Sequence, residues 1–159
     1  MPFATTSFRK RRRATVSKGR VLAVCRSDRK GIPKEDIGTG RLVEESGLEG
    51  DAHAGFAHRQ VSLISMEDIR KAQEKLPDLR PGSFAENLTV EGIDLGESRI
   101  GRRIRVGRAL LEITQIGKEC HTKCAIYRTA GDCIMPKKGI FCRVVEGGTV
   151  SIGDAVEWE

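Results

Sequence analysis

Aromatic residues are scarce in this chain: five Phe, one Trp and one Tyr make up 4% of its 159 residues. So few rings offer little surface for stacking nucleobases, which argues against a single-strand nucleic-acid platform. Long apolar runs are also missing. No uninterrupted stretch approaches the roughly 20 residues that cross a bilayer as a helix, and the first twenty residues lack the apolar segment of a secretory signal. The phosphate-cradling Gly-x-x-x-x-Gly-Lys-Ser/Thr, the dinucleotide-binding Gly-x-Gly-x-x-Gly and the Gly-x-Ser-x-Gly nucleophile elbow are all absent, which removes the commonest nucleotide-binding and hydrolase readings.

Acidic residues are missing from one place in particular. Residues 1–20 contain seven Lys and Arg and no Asp or Glu, whereas the remaining residues carry 21 Lys and Arg against 22 Asp and Glu. The formal charge of +6 therefore belongs to the N-terminal segment, and the rest of the chain is close to neutral. Residues 1–18, rich in Ser, Thr, Lys and Arg, are expected to be a disordered basic tail, and residues 19–159 a single domain. The tail either touches polyanions through non-specific charge or is simply solvated. Nucleic acid is not an expected partner of the remainder, and nothing in it suggests a membrane.

Five cysteines, Cys25, Cys120, Cys124, Cys133 and Cys142, lack the regular spacing of a secreted disulfide scaffold, so a reducing cytoplasm is the expected setting. Eighteen glycines and short β-branched runs point to a mainly β fold with many tight turns. Strands are expected at Gly19–Cys25, near Arg41–Glu45, at Gln60–Ser65, at the end of Ser83–Val90, at Arg103–Val106, Ala109–Ile116, Ile140–Val145 and Ala155–Trp158. In the eight-residue run from Ala109 to Ile116, alternation places Leu111, Ile113 and Gln115 on one face. One helix is expected from Met66 to about Leu76, capped by Ser65, started by Glu67 and Asp68, and ended by Pro77. A short helical turn is expected at Cys124–Thr129, and a turn at Gly147-Gly148.

The densest chemistry lies in Gly117-Lys118-Glu119-Cys120-His121-Thr122-Lys123-Cys124, directly after a predicted strand. Cations such as Lys118, His121 and Lys123 lower a thiol's pKa and raise its thiolate fraction, so Cys120 is a candidate nucleophile. The alternative is a buried small hydrophobe, the reading preferred for Cys25 and Cys142. Cys120, His121, Cys124 and Cys133 would also supply soft ligands for zinc, but no Cys-x-x-Cys knuckle is present. A second segment, Gly50-Asp51-Ala52-His53, followed by His58 and Arg59, offers amides and cations for an anion such as phosphate; equally, Asp51 caps a turn. Lys137 and Lys138, in the loop before Gly139, add charge to that ligand or are solvated. Glu86-Asn87 reads as a turn-bonding or register device.

In this order and spacing, Gly47–His53, Arg59–Ser65, Pro81–Val90, Gly117–Cys124, Gly131–Pro136 and Gly139–Phe141 resemble the MOSC family, the C-terminal domain of molybdenum cofactor sulfurases, which also occurs as small free-standing prokaryotic proteins. The resemblance spans about Gly19–Glu159. It implies a MOSC-type β-barrel with a cleft for a molybdopterin-type ligand, and a cysteine that carries sulfur as a persulfide. That cysteine falls at Cys120, with Cys124 available to resolve the persulfide. His53 and Arg59 are then the foremost cleft residues, with Asp51, Lys118 and His121 as further cofactor contacts. The pyridoxal phosphate domain of the sulfurases has no counterpart in this sequence, so sulfur would come from a cysteine desulfurase or another donor and pass to a molybdenum-cofactor acceptor protein. Two alternatives remain: a cofactor-binding module without covalent chemistry, and a small reductase in which Cys120 is a direct thiolate ligand of the metal.

Overall fold

The computed structural model describes residues 18–117 and 138–159. The strands are β1 (Gly19–Arg26), β2 (Glu35–Asp36), β3 (Thr39–Val43), β4 (Gly47–Leu48), β5 (Val61–Ser65), β6 (Leu88–Glu91), β7 (Arg103–Val106), β8 (Ala109–Ile116), β9 (Ile140–Glu146), β10 (Gly148–Ser151) and β11 (Ala155–Trp158). A single α-helix, α1 (Met66–Gln73), and a 3-10 turn at Leu95–Glu97 complete the described elements.

The strands close into a barrel in the order β11-β7-β8-β9-β5-β6-β1, with β1 pairing back onto β11 through Gly19–Val156 and Arg20–Ala155. Closure removes the free edges that would otherwise invite pairing with another chain. All pairings in the ring are antiparallel except β5 with β6, which are parallel and joined through α1. Strands β10, β3 and β4 form a separate three-stranded sheet. The mainly β expectation is met, and every predicted strand is found within a few residues of its expected place.

Alternating side chains fill the barrel: Val21, Leu63, Leu88, Ile104, Leu111, Ile113, Val144 and Val156 are fully or almost fully buried in one apolar cluster. Each such side chain contributes about 1.5–3 kcal/mol by leaving water. A second, smaller cluster of Ile64, Ile69, Phe84 and Phe141 lies between α1 and the outer face of the wall. Strand β5 is buried on both sides for this reason, which is why its five residues read as one apolar-rich run.

Helix α1 begins as expected. Ser65 Oγ accepts the Asp68 amide at 3.2 Å, and Glu67 and Asp68 occupy the first turn. It ends at Gln73 rather than Leu76. Pro77 disfavours the α conformation at the residue before it, and the Glu74 and Lys75 amides tighten onto the carbonyls three residues back. Three short strands, β2, β4 and β10, escaped the sequence reading; two residues of Glu-Asp or Gly-Leu carry no periodicity, and β10 takes up Gly148, which was expected in a turn.

Strand β8 corrects one expectation. Leu111 faces Val144 and Ile113 faces Cys142 inside the barrel, but the register shifts between Ile113 and Gln115, so that Gln115 lies opposite Phe141 of the outer cluster. One extra residue inverts the parity of a strand, and Gln115 is turned out of the face shared by Leu111 and Ile113. The expected turn at Cys124–Thr129 falls outside the described residues.

Candidate functional site

On the outer wall, the Gln115–Phe141 pair is followed by Ser62 of β5, which is paired with Phe141, and by Asn87 just before β6. Asn87 stands in for strand backbone: its Oδ1 accepts the Ser62 amide at 3.1 Å and its Nδ2 donates to the Cys25 carbonyl at 3.1 Å. This is a turn-bonding role. Next to it, Glu86 is completely buried, accepting the Phe84 amide at 3.3 Å and the Thr89 hydroxyl at 2.8 Å. Burial raises the Glu86 carboxyl above its ordinary value, although these hydrogen bonds oppose the shift. The loop that carries it holds Ala85 at φ 60°, a conformation costly for a residue with a Cβ.

Residues 49–60 form a second loop over the same wall, pinned at both ends. At its far end the buried Gln60 accepts the Val144 amide at 3.0 Å and donates to the Ala57 carbonyl at 3.0 Å. Glycine is required at Gly47, just before this loop: its φ is +134° and a Cβ would lie 2.6 Å from the Gln60 carbonyl oxygen. At the near end Asp51 is sealed from solvent with Lys34, whose Nζ lies 2.8 Å from both carboxylate oxygens. Asp51 also accepts the Ser27 amide at 3.1 Å and the His53 amide at 3.0 Å. Burial by itself would raise this carboxyl, but the hydrogen bonds and charge of Lys34, together with the Ser27 and His53 backbone amides, outweigh it and hold Asp51 well below the usual carboxylate range.

Between those pins the loop presents His53, Phe56 and Arg59. The Lys30 ammonium lies 3.9 Å and the Arg59 guanidinium 4.9 Å from the Phe56 ring centroid, and the His53 ring meets Phe56 edge-on at 6.2 Å. Two cations are thus held beside one aromatic ring. His53, Arg59, Ser62, Ala85, Asn87 and Phe141 together line a recess of about 20 Å³, room for one small polar group. Arg59 Nε is buried beside it and has no hydrogen-bond partner among the described residues. A buried guanidinium N–H without an acceptor is costly, and an anionic oxygen in the recess would relieve that cost.

The structure therefore brings His53 and Arg59 to one recess and places Asp51 beneath it, engaged by Lys34. His58 lies to one side, its Nε2 2.8 Å from Gln115 Oε1. Lys138 lines a different and larger groove of about 540 Å³, together with Glu67, Asp68, Lys71 and Asp94. That groove mixes both signs of charge and is a poorer match to an anion. Lys118, Cys120, His121, Cys124, Cys133 and Lys137 lie outside the described residues. Cys25 and Cys142 are both buried, and burial pushes each thiol up, away from thiolate chemistry. Lys34 and Phe56 were missed in the sequence. Lys34 sits in a polar Gly-Pro loop with no periodic signal, and only the fold brings it to Asp51.

These features define a class: a small closed β-barrel whose outer wall carries a cation-flanked recess beneath two strained loops. Residues 50–157 match the MOSC domain model, and the chain belongs to the MOSC domain family. Its fold is similar to that of the YuaD protein from Bacillus subtilis, with a TM-score of 0.75 at 20% identity, covering 89% of this chain and 95% of that one. YiiM from Geobacillus stearothermophilus gives a TM-score of 0.68 at 18% identity over 89% of this chain and 75% of that one. YiiM from Escherichia coli gives 0.62 at 22% identity over 88% and 69%. No curated protein sequence matches the chain significantly.

Proposed function

We propose that this protein binds a molybdopterin-type ligand at the recess and carries sulfur as a persulfide on Cys120. The observation that carries the reading is Arg59, whose buried Nε has no acceptor among the described residues, in a recess shared with His53. Membership of the MOSC family makes an anionic pterin the ligand class to test. A recess of this size takes one terminal oxygen of a phosphate rather than a ring system, so the pterin itself would lie across the mouth, beside the Phe56 cations.

Cys120 stands three positions after Gly117 in the sequence, a chain span of at most about 11 Å, and the Gly117 amide is fixed to the Gly139 carbonyl at 2.8 Å. In the sulfur-accepting step the Cys120 thiolate attacks the outer sulfur of a donor persulfide. A new S–S bond forms at Cys120, the donor S–S bond breaks, and the donor leaves as thiolate. Attack by Cys124 on the Cys120 sulfur would release hydrosulfide and leave a Cys120–Cys124 disulfide. The cofactor, when bound, would supply the molybdenum centre that receives the sulfur. Arg59 and His53, which share the recess, would hold the ligand by its anion.

The test combines intact mass and metal analysis. After incubation with a cysteine desulfurase and cysteine, wild type should gain sulfur and Cys120→Ala should not; equal gain by both sinks the carrier reading. Arg59→Ala should weaken binding of the pterin ligand at least about tenfold, the loss of one charged hydrogen bond. Molybdenum that co-purifies with wild type, is lost in Cys120→Ala and is accompanied by no persulfide would assign Cys120 as a metal thiolate instead.

A further inference from the structure

The buried lysine beneath the recess has three N–H bonds and meets three acceptors. Its Nζ lies 2.8 Å from each Asp51 oxygen and 3.0 Å from His53 Nδ1. An ammonium only donates, so Nδ1 is the acceptor in this contact. A singly protonated imidazole that accepts at Nδ1 carries its hydrogen on Nε2. The competing arrangement, with Nδ1–H donating to Asp51, is not formed: Nδ1 is 3.7 Å from Oδ2, beyond hydrogen-bond distance. That oxygen is already taken by Lys34 and by the His53 amide. The His53 side chain is 24% exposed and lines the recess with Arg59, whereas the side chains of Lys34 and Asp51 are wholly enclosed.

We propose that Lys34 is a positioning residue that locks His53 in its Nε2–H form, so that the recess offers a ligand oxyanion an imidazole N–H beside the Arg59 guanidinium. This rests on the reading that the recess takes an anionic ligand. Lys34 never reaches the ligand. It selects which imidazole nitrogen bears the hydrogen, and with it the kind of atom the recess accepts: an oxygen lone pair, with an oxyanion favoured over a neutral hydroxyl because hydrogen bonds to a charged acceptor beside Arg59 are stronger. Asp51 holds the lysine in place, so the Lys34, Asp51 and His53 side chains act as one unit spanning two loops.

The tautomer is read from the imidazole nitrogen resonances of the full chain, which has three histidines; His53→Gln identifies the His53 signals. Wild type should show Nδ1 as an unprotonated acceptor and hydrogen on Nε2. In Lys34→Met/Asp51→Leu, which removes both buried charges together and so protects the fold, the His53 signals should move to the average of two exchanging tautomers. Hydrogen on Nδ1 in wild type, or an unchanged spectrum in the double variant, overturns the proposal. The second arm titrates inorganic phosphate. The Gln amide nitrogen occupies roughly the place of Nε2 and that of Asn the place of Nδ1, so His53→Gln should stay within about threefold of wild type and His53→Asn should bind about fivefold to tenfold more weakly. Equal losses, or the reverse order, overturn it. If wild type binds neither phosphate nor a pterin ligand, the anion half is overturned, and the resonances still decide the tautomer.

Discussion

Asp51 and Glu86 are both buried acids, each close in sequence to a residue that lines the recess, and the protein treats them in opposite ways. Asp51 faces an ammonium, two backbone amides and no solvent, so its carboxylate is favoured despite burial. Glu86 receives the Phe84 amide and the Thr89 hydroxyl but has no cation within contact among the described residues, and burial dominates. Seclusion from water is common to both. The partner decides the charge. Accordingly the Asp51 loop presents a charged, hydrogen-bonded strut to the recess, while the Glu86 loop is shaped by hydrogen bonds around a carboxyl that resists ionisation.

The largest break in this comparison comes from removing the cation. Lys34→Met leaves Asp51 ionised and alone in the interior and should cost about 3–5 kcal/mol, measured by urea unfolding; Lys34→Met/Asp51→Leu should recover most of it. Next comes Gly82, where the segment leading to Glu86 touches the backbone of Lys34. Its φ is +90° and a Cβ would lie 2.1 Å from the Lys34 carbonyl oxygen, so Gly82→Ala should destabilise by about 2 kcal/mol or more and weaken ligand binding as the lysine is displaced.

Glu86→Gln should change stability by about 1 kcal/mol or less, because an amide can accept from Phe84 and donate to Thr89. The pH dependence carries more information. Glu86, raised in the folded state, contributes stability that is present below its ordinary value of 4.5 and lost as pH rises through its folded value. Asp51, depressed, contributes stability present above its ordinary value of 3.8 and lost as pH falls. Glu86→Gln should therefore flatten the decline in stability on the alkaline side of pH 4.5 and leave the acid limb to Asp51; an unchanged alkaline slope, followed by unfolding against pH, would show that Glu86 ionises freely. Smallest of all, His58→Ala should alter stability by within about 0.5 kcal/mol, since its contact with Gln115 is exposed.

Much of this was legible in the sequence. The β-branched runs at 61–65 and 140–145 and the Ser65 cap state their structure locally, because alternation and capping are properties of neighbouring residues. His53 and Arg59 were legible as candidate anion contacts, because glycine-flanked amides followed by imidazole and guanidinium side chains can hold an anion, but the same Gly-Asp segment reads equally as a turn. Gln115 was not, because a bulge is set by the partner strand rather than by the strand that contains it. Nor was Lys34, separated from Asp51 by 17 positions and from Gly82 by a further loop.

By itself, then, the sequence determined the mainly β class, the helix that follows Ser65 and which residue types are candidates for thiolate or cationic chemistry. Each of these follows from side-chain type and short-range spacing. Only the tertiary structure decided that β1 closes on β11, that the Arg59 Nε is buried beside His53 without an acceptor among the described residues, and that one lysine satisfies both Asp51 and the imidazole. Those are contacts between distant segments, and they arise where barrel closure forces the loops to share a small dry volume in which every polar group needs a partner.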